Sequence, residues 1–261
     1  MRRRGDAVIP ELLEAAEAFA REAGEVTLRW FGPRLEHEEK GDGTPVTRAD
    51  REAERLLRTR IAARFPGHAI LGEEEGEERS GARIRWIVDP IDGTKAFMRG
   101  VPLYGVLVGV EADDEPVVGV AHFPALGETV AAARGRGCRW DGRPCRVSQV
   151  GDLERALVLT TDPERVLVEA TGAGWPRMQG RAGLCRTWGD AYGHVLVATG
   201  RAEVMVDPVL SPWDAAPLLT ILTEAGGRFT DLGGEPTIHG GSGVSSNGLL
   251  HDAVLEELAG E

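Results

Sequence analysis

Cysteine, cationic charge and long apolar runs are all scarce in this chain, and each scarcity closes off a class of function. Only three cysteines occur, Cys138, Cys145 and Cys185. They form no CxxC pair and no Cys/His cluster with zinc spacing, so a structural zinc module is not expected. A sparse, odd count points to a reducing compartment, and the cytoplasm is the expected location. Lys and Arg total 30 against 42 Asp and Glu, a formal net charge of −12. That balance argues against nucleic acid as a partner, because nonspecific binding rests on cations that neutralise phosphates. It leaves a phosphate substrate open, since bound divalent cations invert the field of an acidic site. No stretch is long and apolar enough to span a membrane, so no membrane partner is expected. Met1-Arg2-Arg3-Arg4 leads into no apolar segment, so no signal peptide is expected. Internal repeats, low-complexity tracts and an obvious linker are absent too.

What is present is an ordinary globular composition over 261 residues, enough for a substantial core. From Val8 to about Phe31, Leu12, Ala16, Phe19, Ala20 and Ala23 fall at helical spacing, and Gly32-Pro33 ends the pattern. A polar loop follows, from about Leu35 to Val46. Thr47 is the expected N-cap of a second helix, Arg48 to Phe65, with Asp50 in the capping-box position. Short apolar runs then predict strands over His68–Leu71, Ile84–Val88, Leu103–Glu111, Pro116–His122 and Glu128–Ala133. Beyond about Val150 the pattern alternates. Strands are expected at Ala156–Leu159, Ala202–Val206 and Val244–Ser246. Helices are expected at Asp190–Thr199, Pro212 to about Ala225, and about Gly248 to Leu258. The whole is expected to be one compact unit with sub-halves of about 1–150 and 151–261.

Asp141-Gly142 carries a tight-hairpin signal, because these residues tolerate the positive φ of a two-residue turn. Such a turn sets Trp140 across from Arg143 and Cys138 across from Cys145. Directly opposed Cα atoms lie roughly 4.5–5.5 Å apart, within disulfide range. In a reducing compartment both thiols are expected to stay reduced.

Three segments carry chemistry: Gly72-Glu73-Glu74-Glu75, Asp89-Pro90-Ile91-Asp92-Gly93-Thr94, and Ser211-Pro212-Trp213-Asp214. In the second, a buried strand delivers Asp89 at its C-terminal end and Pro90 rigidifies the exit. A turn can then bring Asp92 to the same point. Gly93 and Thr94 expose backbone N–H groups at a helix start, which is an anion site. Carboxylates beside an anion site are compatible when cations lie between them. Magnesium sites are built this way, from a few carboxylates, waters and a substrate phosphate. Each segment alone also has a plain structural reading. DPxDG is an ordinary turn composition, Glu73–Glu75 a solvated loop, and Asp214 a first-turn acid behind Ser211 and Pro212. No Ser/His/Asp or Cys/His arrangement stands out.

Taken together, Gly72-Glu73-Glu74, Asp89 through Thr94 and Trp213-Asp214-Ala215-Ala216 resemble the signatures of the inositol monophosphatase family, over nearly the whole chain. Lys40 through Asp50 is similar to that family's mobile N-terminal loop, and Ser246-Asn247-Gly248 to its C-terminal strand and turn. The resemblance implies an α+β fold, a layered αβαβα sandwich, and a homodimer. It implies Mg²⁺-dependent hydrolysis of a small phosphate monoester with two or three ions per site. Glu73, Asp89 and the Ile91 carbonyl would hold one ion, and Asp89, Asp92 and Asp214 a second. A third, weaker ion would lie near Glu73 and Asp92. Thr94 would pair with Asp50 to orient and deprotonate the attacking water. Gly93 and Thr94 would hold the phosphate, and Asp207 would contact the organic part of the substrate. Thr94-Lys95-Ala96-Phe97, Gly100 through Gly105, and Trp188 through Gly193 with the run to Asp207 resemble the bacterial histidinol-phosphate phosphatases of the family, which act in histidine biosynthesis. Asp190 and Asp207 suit a cationic ammonium or imidazole, although the same acids can accept hydroxyls from inositol 1-phosphate. Asp190 reads equally well as a helix cap. A broad sugar or nucleotide phosphatase remains an alternative. So does a non-catalytic role in a transcription complex, which some relatives perform, but a full acid set argues for catalysis.

Overall fold

The computed structural model describes residues 8–32, 37–41, 45–79, 81–167 and 174–259. Helix α1 (Ile9–Leu28) buries Leu12, Ala16, Phe19, Ala20 and Ala23, the stripe its spacing predicts. It stops short of Phe31 because the last turn tightens, with the Trp30 N–H donating to Thr27 O. Pro33, half of the expected stop signal, lies outside the described residues. The segment expected to be a loop contains two short strands that pair antiparallel, β1 (His37–Glu39) and β2 (Pro45–Thr47). All three β1 residues are exposed, so the strand leaves no apolar alternation to read. Helix α2 (Arg48–Arg64) starts at the predicted cap. Asp50 Oδ2 accepts the Thr47 N–H at 2.8 Å, and Thr47 Oγ1 accepts the Ala49 N–H at 3.1 Å.

An eight-stranded mixed sheet follows. Its strands are β3 (Ala69–Gly72), β4 (Gly76–Glu78), β5 (Ile84–Asp92), β6 (Gly105–Ala112), β7 (Glu115–Phe123), β8 (Glu128–Ala133), β9 (Cys138–Trp140) and β10 (Arg143–Cys145), in spatial order β10-β9-β8-β7-β6-β5-β3-β4. Only β3 and β5 pair in parallel. A one-turn helix, α3 (Thr94–Phe97), leaves the end of β5. A second sheet contains β11 (Leu157–Thr160), β12 (Leu184–Arg186), β13 (Val204–Asp207), β14 (Arg228–Thr230) and β15 (Gly243–Ser246), in order β12-β11-β13-β15-β14. Between its strands run α4 (Pro163–Arg165), α5 (Gly174–Arg181), α6 (Asp190–Ala198) and α7 (Pro212–Glu224), and α8 (His251–Ala259) closes the chain.

Three apolar clusters define the layers. α1 and α2 pack on one face of the large sheet through Leu12, Phe19, Leu57, Ile61 and Trp86. α6 and α7 lie between the two sheets, where Val195, Leu218 and Ile221 meet Leu107, Phe123 and Phe229. α5 and α8 cover the far face of the small sheet through Trp175, Met178, Val254 and Leu258. The result is the expected αβαβα sandwich, in which second-half helices pack on the first-half sheet. The sequence pattern missed β4, β12, β14 and α5. The three strands have three residues each and the helix eight, too short to establish a period.

Candidate active site

β5 does not end at Val88, as the apolar run suggests. It continues through Asp89-Pro90-Ile91-Asp92, and its ladder with β6 shifts register between Asp89 and Asp92. That irregularity is a bulge, and it takes the place of the expected turn. Pro90 cannot donate to a ladder, which makes a bulge the place where it fits. Asp89 Oδ1 accepts the Ile91 N–H at 2.9 Å. Asp92 Oδ2 accepts the Ala191 N–H at 2.9 Å, at the start of α6. Asp214, in the first turn of α7, accepts the Ser211 N–H at 2.8 Å.

These three acids converge from three elements. One carboxylate oxygen from each of Asp89, Asp92 and Asp214 lies within 4.8 Å of the others. Asp89 and Asp92 are buried. Among the described residues, none of the three pairs with a lysine or arginine. Burial, and then the neighbouring Glu73, Asp214 and Asp92, drive the Asp89 carboxyl well above its usual range. Burial and then Asp190 do the same to Asp92. Asp214 is pushed up to about 7, mainly by burial. A buried group of like charges with raised pKa values and hard oxygen donors is what a divalent cation site looks like without its cation.

Glu73 stands in the β3–β4 turn. Its carboxylate and that of Glu74 both accept from the Lys40 ammonium, at 2.7 and 2.8 Å. Burial alone lowers the Lys40 pKa, but the two carboxylates outweigh it and the net shift is upward. The turn is held from beneath by Glu54 of α2, which accepts the N–H groups of Glu74 at 2.8 Å and Glu75 at 3.0 Å. A Cβ on Gly72 would lie 2.3 Å from Glu54 Oε1, so only glycine admits this carboxylate. Glu54 was not among the expected site residues. A signal existed, since an acid three residues before Leu57 and seven before Ile61 falls on the buried stripe of α2.

Asp50 is fully buried and its Oδ1 has no hydrogen-bond partner. Burial pushes its pKa up to about 6, against the pull of the two Thr47 hydrogen bonds. The Thr94 hydroxyl donates to Ile91 O at 3.0 Å, and no hydrogen bond joins it to Asp50. Gly93, at φ +77, turns β5 into α3, and a Cβ there would lie 2.9 Å from Asp190 Oδ2.

Asp190 is the first residue of α6, not its cap. Gly189 holds the cap position, and Asp190 has φ +53, a strained value outside glycine. Its N–H donates to Thr161 Oγ1 at 2.8 Å, and the Thr161 hydroxyl donates to Asp207 Oδ2 at 2.6 Å. Thr161 therefore ties the two expected substrate acids together, and nothing in its local sequence announced it. Burial raises both carboxyls, Asp207 to about 7, and Lys95 only partly opposes the shift at Asp190.

A model of the inositol monophosphatase family matches residues 9–260. A histidinol-phosphatase of Chlorobaculum parvum is 46% identical over 240 residues, covering 91% of this chain and 93% of its own length. A histidinol-phosphatase of Mycobacterium tuberculosis is 42% identical, covering 94% of this chain and 97% of its own. Among solved structures, a Thermotoga maritima IMPase superposes with a TM-score of 0.86 at 34% identity, over 95% of this chain and 96% of that one.

Proposed function

This chain belongs to the inositol monophosphatase family and is a phosphoric monoester hydrolase, and from that premise we propose that it hydrolyses histidinol phosphate to histidinol and phosphate with Mg²⁺. The observation that carries the metal reading is the convergence of Asp89, Asp92 and Asp214 without a protein cation among the described residues. Asp89, Asp92 and Asp214 would hold one Mg²⁺. Asp89, Glu73 and the Ile91 carbonyl would hold another, using the carbonyl lone pair that Thr94 leaves free. When bound, Mg²⁺ supplies the charge that acidifies a water and stabilises the phosphoryl oxygens.

The chain's own residues do the rest. Gly93 and Thr94 offer backbone N–H groups to the phosphate. The Thr94 hydroxyl and Asp50 position the attacking water, and Asp50 Oδ1, buried without a partner, takes its proton. A carboxylate pushed up to about 6 is a base matched to neutral pH. Asp190 lies against Gly93 and is tied through Thr161 to Asp207, which supports reading the two carboxylates as partners for a cationic leaving group. The names of the two histidinol-phosphatases support that reading. Inositol 1-phosphate is the second candidate, because the same carboxylates accept hydroxyls. The protein is further proposed to work as a cytoplasmic homodimer.

The test is a substrate panel with Mg²⁺ containing histidinol phosphate, inositol 1-phosphate and phosphoadenosine phosphate. Histidinol phosphate is expected to give the highest kcat/KM. A charged hydrogen bond is worth about 1.5–3 kcal/mol, so Asp207→Asn should cost histidinol phosphate roughly 10- to 150-fold more than inositol 1-phosphate. Faster turnover of inositol 1-phosphate by the parent enzyme overturns the substrate and leaves the phosphatase.

A further inference from the structure

The outermost hairpin of the large sheet holds the second cluster of reactive groups. Asp141 and Gly142 have φ +48 and +75, the doubly positive pattern of a two-residue type I′ turn. The Asp141 carboxylate accepts the Thr129 N–H at 2.8 Å, which locks this turn onto β8. The register follows, with Trp140 across from Arg143 and Cys138 directly across from Cys145. Their Sγ atoms lie 3.3 Å apart, and both thiols are free.

Cys138 and Cys145 are among the residues lining a cavity of about 480 Å³, together with Arg136, Arg139, Arg146 and Glu224. Glu224 supplies one negative charge against the three arginines, which leaves the lining net cationic. Its carboxylate is held by the N–H groups of Gly135, Arg136 and Gly137, at 2.8, 3.1 and 2.7 Å. Among the described residues, none of the three guanidinium groups pairs with a carboxylate. Cys138 is 3% exposed and Cys145 half-buried, so reagents reach Cys145 first.

We propose that Cys138 and Cys145 form a reversible dithiol–disulfide site that reacts with anionic low-molecular-weight disulfides. The cavity's arginines attract the anionic reagent, and the register supplies a resolving thiol at the point of attack. The hydrogen bond between the two thiols holds Cys145 below its ordinary pKa, and Arg201 adds to this against the effect of burial. The same hydrogen bond and burial push Cys138 up. Cys145, the more exposed of the two, is the attacking thiol in its thiolate form. It bonds to one sulfur of the disulfide RSSR, breaking that bond and releasing one thiolate, which takes up a proton. Cys138 then loses its proton and attacks the Cys145 sulfur of the mixed disulfide, releasing the second RSH. The protein gives up two protons and two electrons, and RSSR becomes two RSH.

The experiment treats the full-length protein with oxidised glutathione and, separately, with cationic cystamine. Intact-mass and peptide mapping follow each reaction. The parent is expected to lose two hydrogen masses, retain no adduct and yield a Cys138–Cys145 linked peptide, while Cys185 stays reduced. Cys138→Ser should stop at a single glutathione adduct on Cys145, and Cys145→Ser should react on the order of tenfold more slowly because the remaining thiol is buried. At low salt oxidised glutathione should outpace cystamine by on the order of tenfold, and Arg146→Ala or added salt should narrow that gap. A Cys138–Cys185 link, modification confined to Cys185, or equal rates for the two reagents overturns the proposal. The rate comparison uses the parent protein, so it holds even if a cysteine variant fails to fold.

Discussion

Glu54 and Asp89 are both buried carboxylates, 0% and 2% exposed, and the protein treats them in opposite ways. Glu54 receives the Arg58 Nε–H at 2.9 Å and the N–H groups of Glu74 and Glu75. Glu111 is similar, with two Arg85 nitrogens at 2.9 and 2.6 Å. Asp89 receives one backbone N–H and otherwise faces Glu73, Asp92 and Asp214. A buried charge usually has its partner built in, because an unpaired one costs several kcal/mol. The difference teaches that burial of an acid is not the mark of a site. The missing counter-charge is, and in the Asp89 cluster that charge has to come from a ligand.

The comparison breaks most sharply at Asp89. Asp89→Asn should lower kcat by on the order of 10³-fold or more, the scale of losing a principal electrostatic group in catalysis. Two like charges about 4 Å apart at an effective dielectric near 20 repel by roughly 4 kcal/mol. In chelator the variant should therefore melt higher than the parent, and Mg²⁺ should raise its Tm less. Steady-state kinetics and thermal melts with and without Mg²⁺ decide the matter. Activity within tenfold of the parent, or a lower Tm in chelator, would place Asp89 with the structural acids.

Glu54→Gln should do the reverse. Neutralising Glu54 leaves Arg58 only its longer pairs with Glu75 and Glu78, at 3.7 and 3.9 Å, and should cost on the order of 1–3 kcal/mol. Its Tm should fall with or without Mg²⁺, because the amide keeps only one acceptor oxygen and turns an NH2 group toward groups that themselves donate. If it melts like the parent while Asp89→Asn melts lower, the distinction between the two kinds of acid collapses.

How much of this was legible in the sequence follows the range of the interactions. Long amphipathic helices, the Thr47–Asp50 cap and the Asp141-Gly142 turn depend on neighbours in the chain, and their residues announced them. The convergence of Asp89, Asp92 and Asp214 joins β5 to α7, and no local pattern encodes that. It was foreseen through resemblance and then found in the fold. The bulge through Asp89–Asp92 was hidden because a DPxDG composition fits a turn equally well. Thr161 was hidden because its two partners, Asp190 and Asp207, are remote in sequence. Lys40 was foreseen only as part of a loop, and its hold on Glu73 and Glu74 spans more than thirty residues.

The smallest expected effect lies in the pH dependence of stability, where imidazoles and site acids act with opposite signs. Burial takes His194 down to about 3, and His122 and His251 down to about 4, from 6.5. The unfolded chain then binds more protons than the native state between those values, so stability is lost as pH falls below 6.5. Burial raises Asp50 to about 6, and Asp207 and Asp214 to about 7, from 3.8. Here the native state binds more protons, so stability is lost as pH rises from about 4 to about 7. Each group contributes at most about 1.4 kcal/mol per pH unit within its window. In chelator the two sets oppose each other and the acid limb of the Tm profile should be shallow. With saturating Mg²⁺ the site acids stay ionised, so the imidazoles alone should shape a steeper acid limb. The gap between the two profiles should widen as pH rises toward 7, because the cation competes with protons for the same oxygens. Thermal melts from about pH 5 to pH 8, with Mg²⁺ and with chelator, measure this directly. Parallel profiles would mean that the cation does not displace protons from these carboxylates, and the divide between built-in and supplied counter-charge would fail at the site itself.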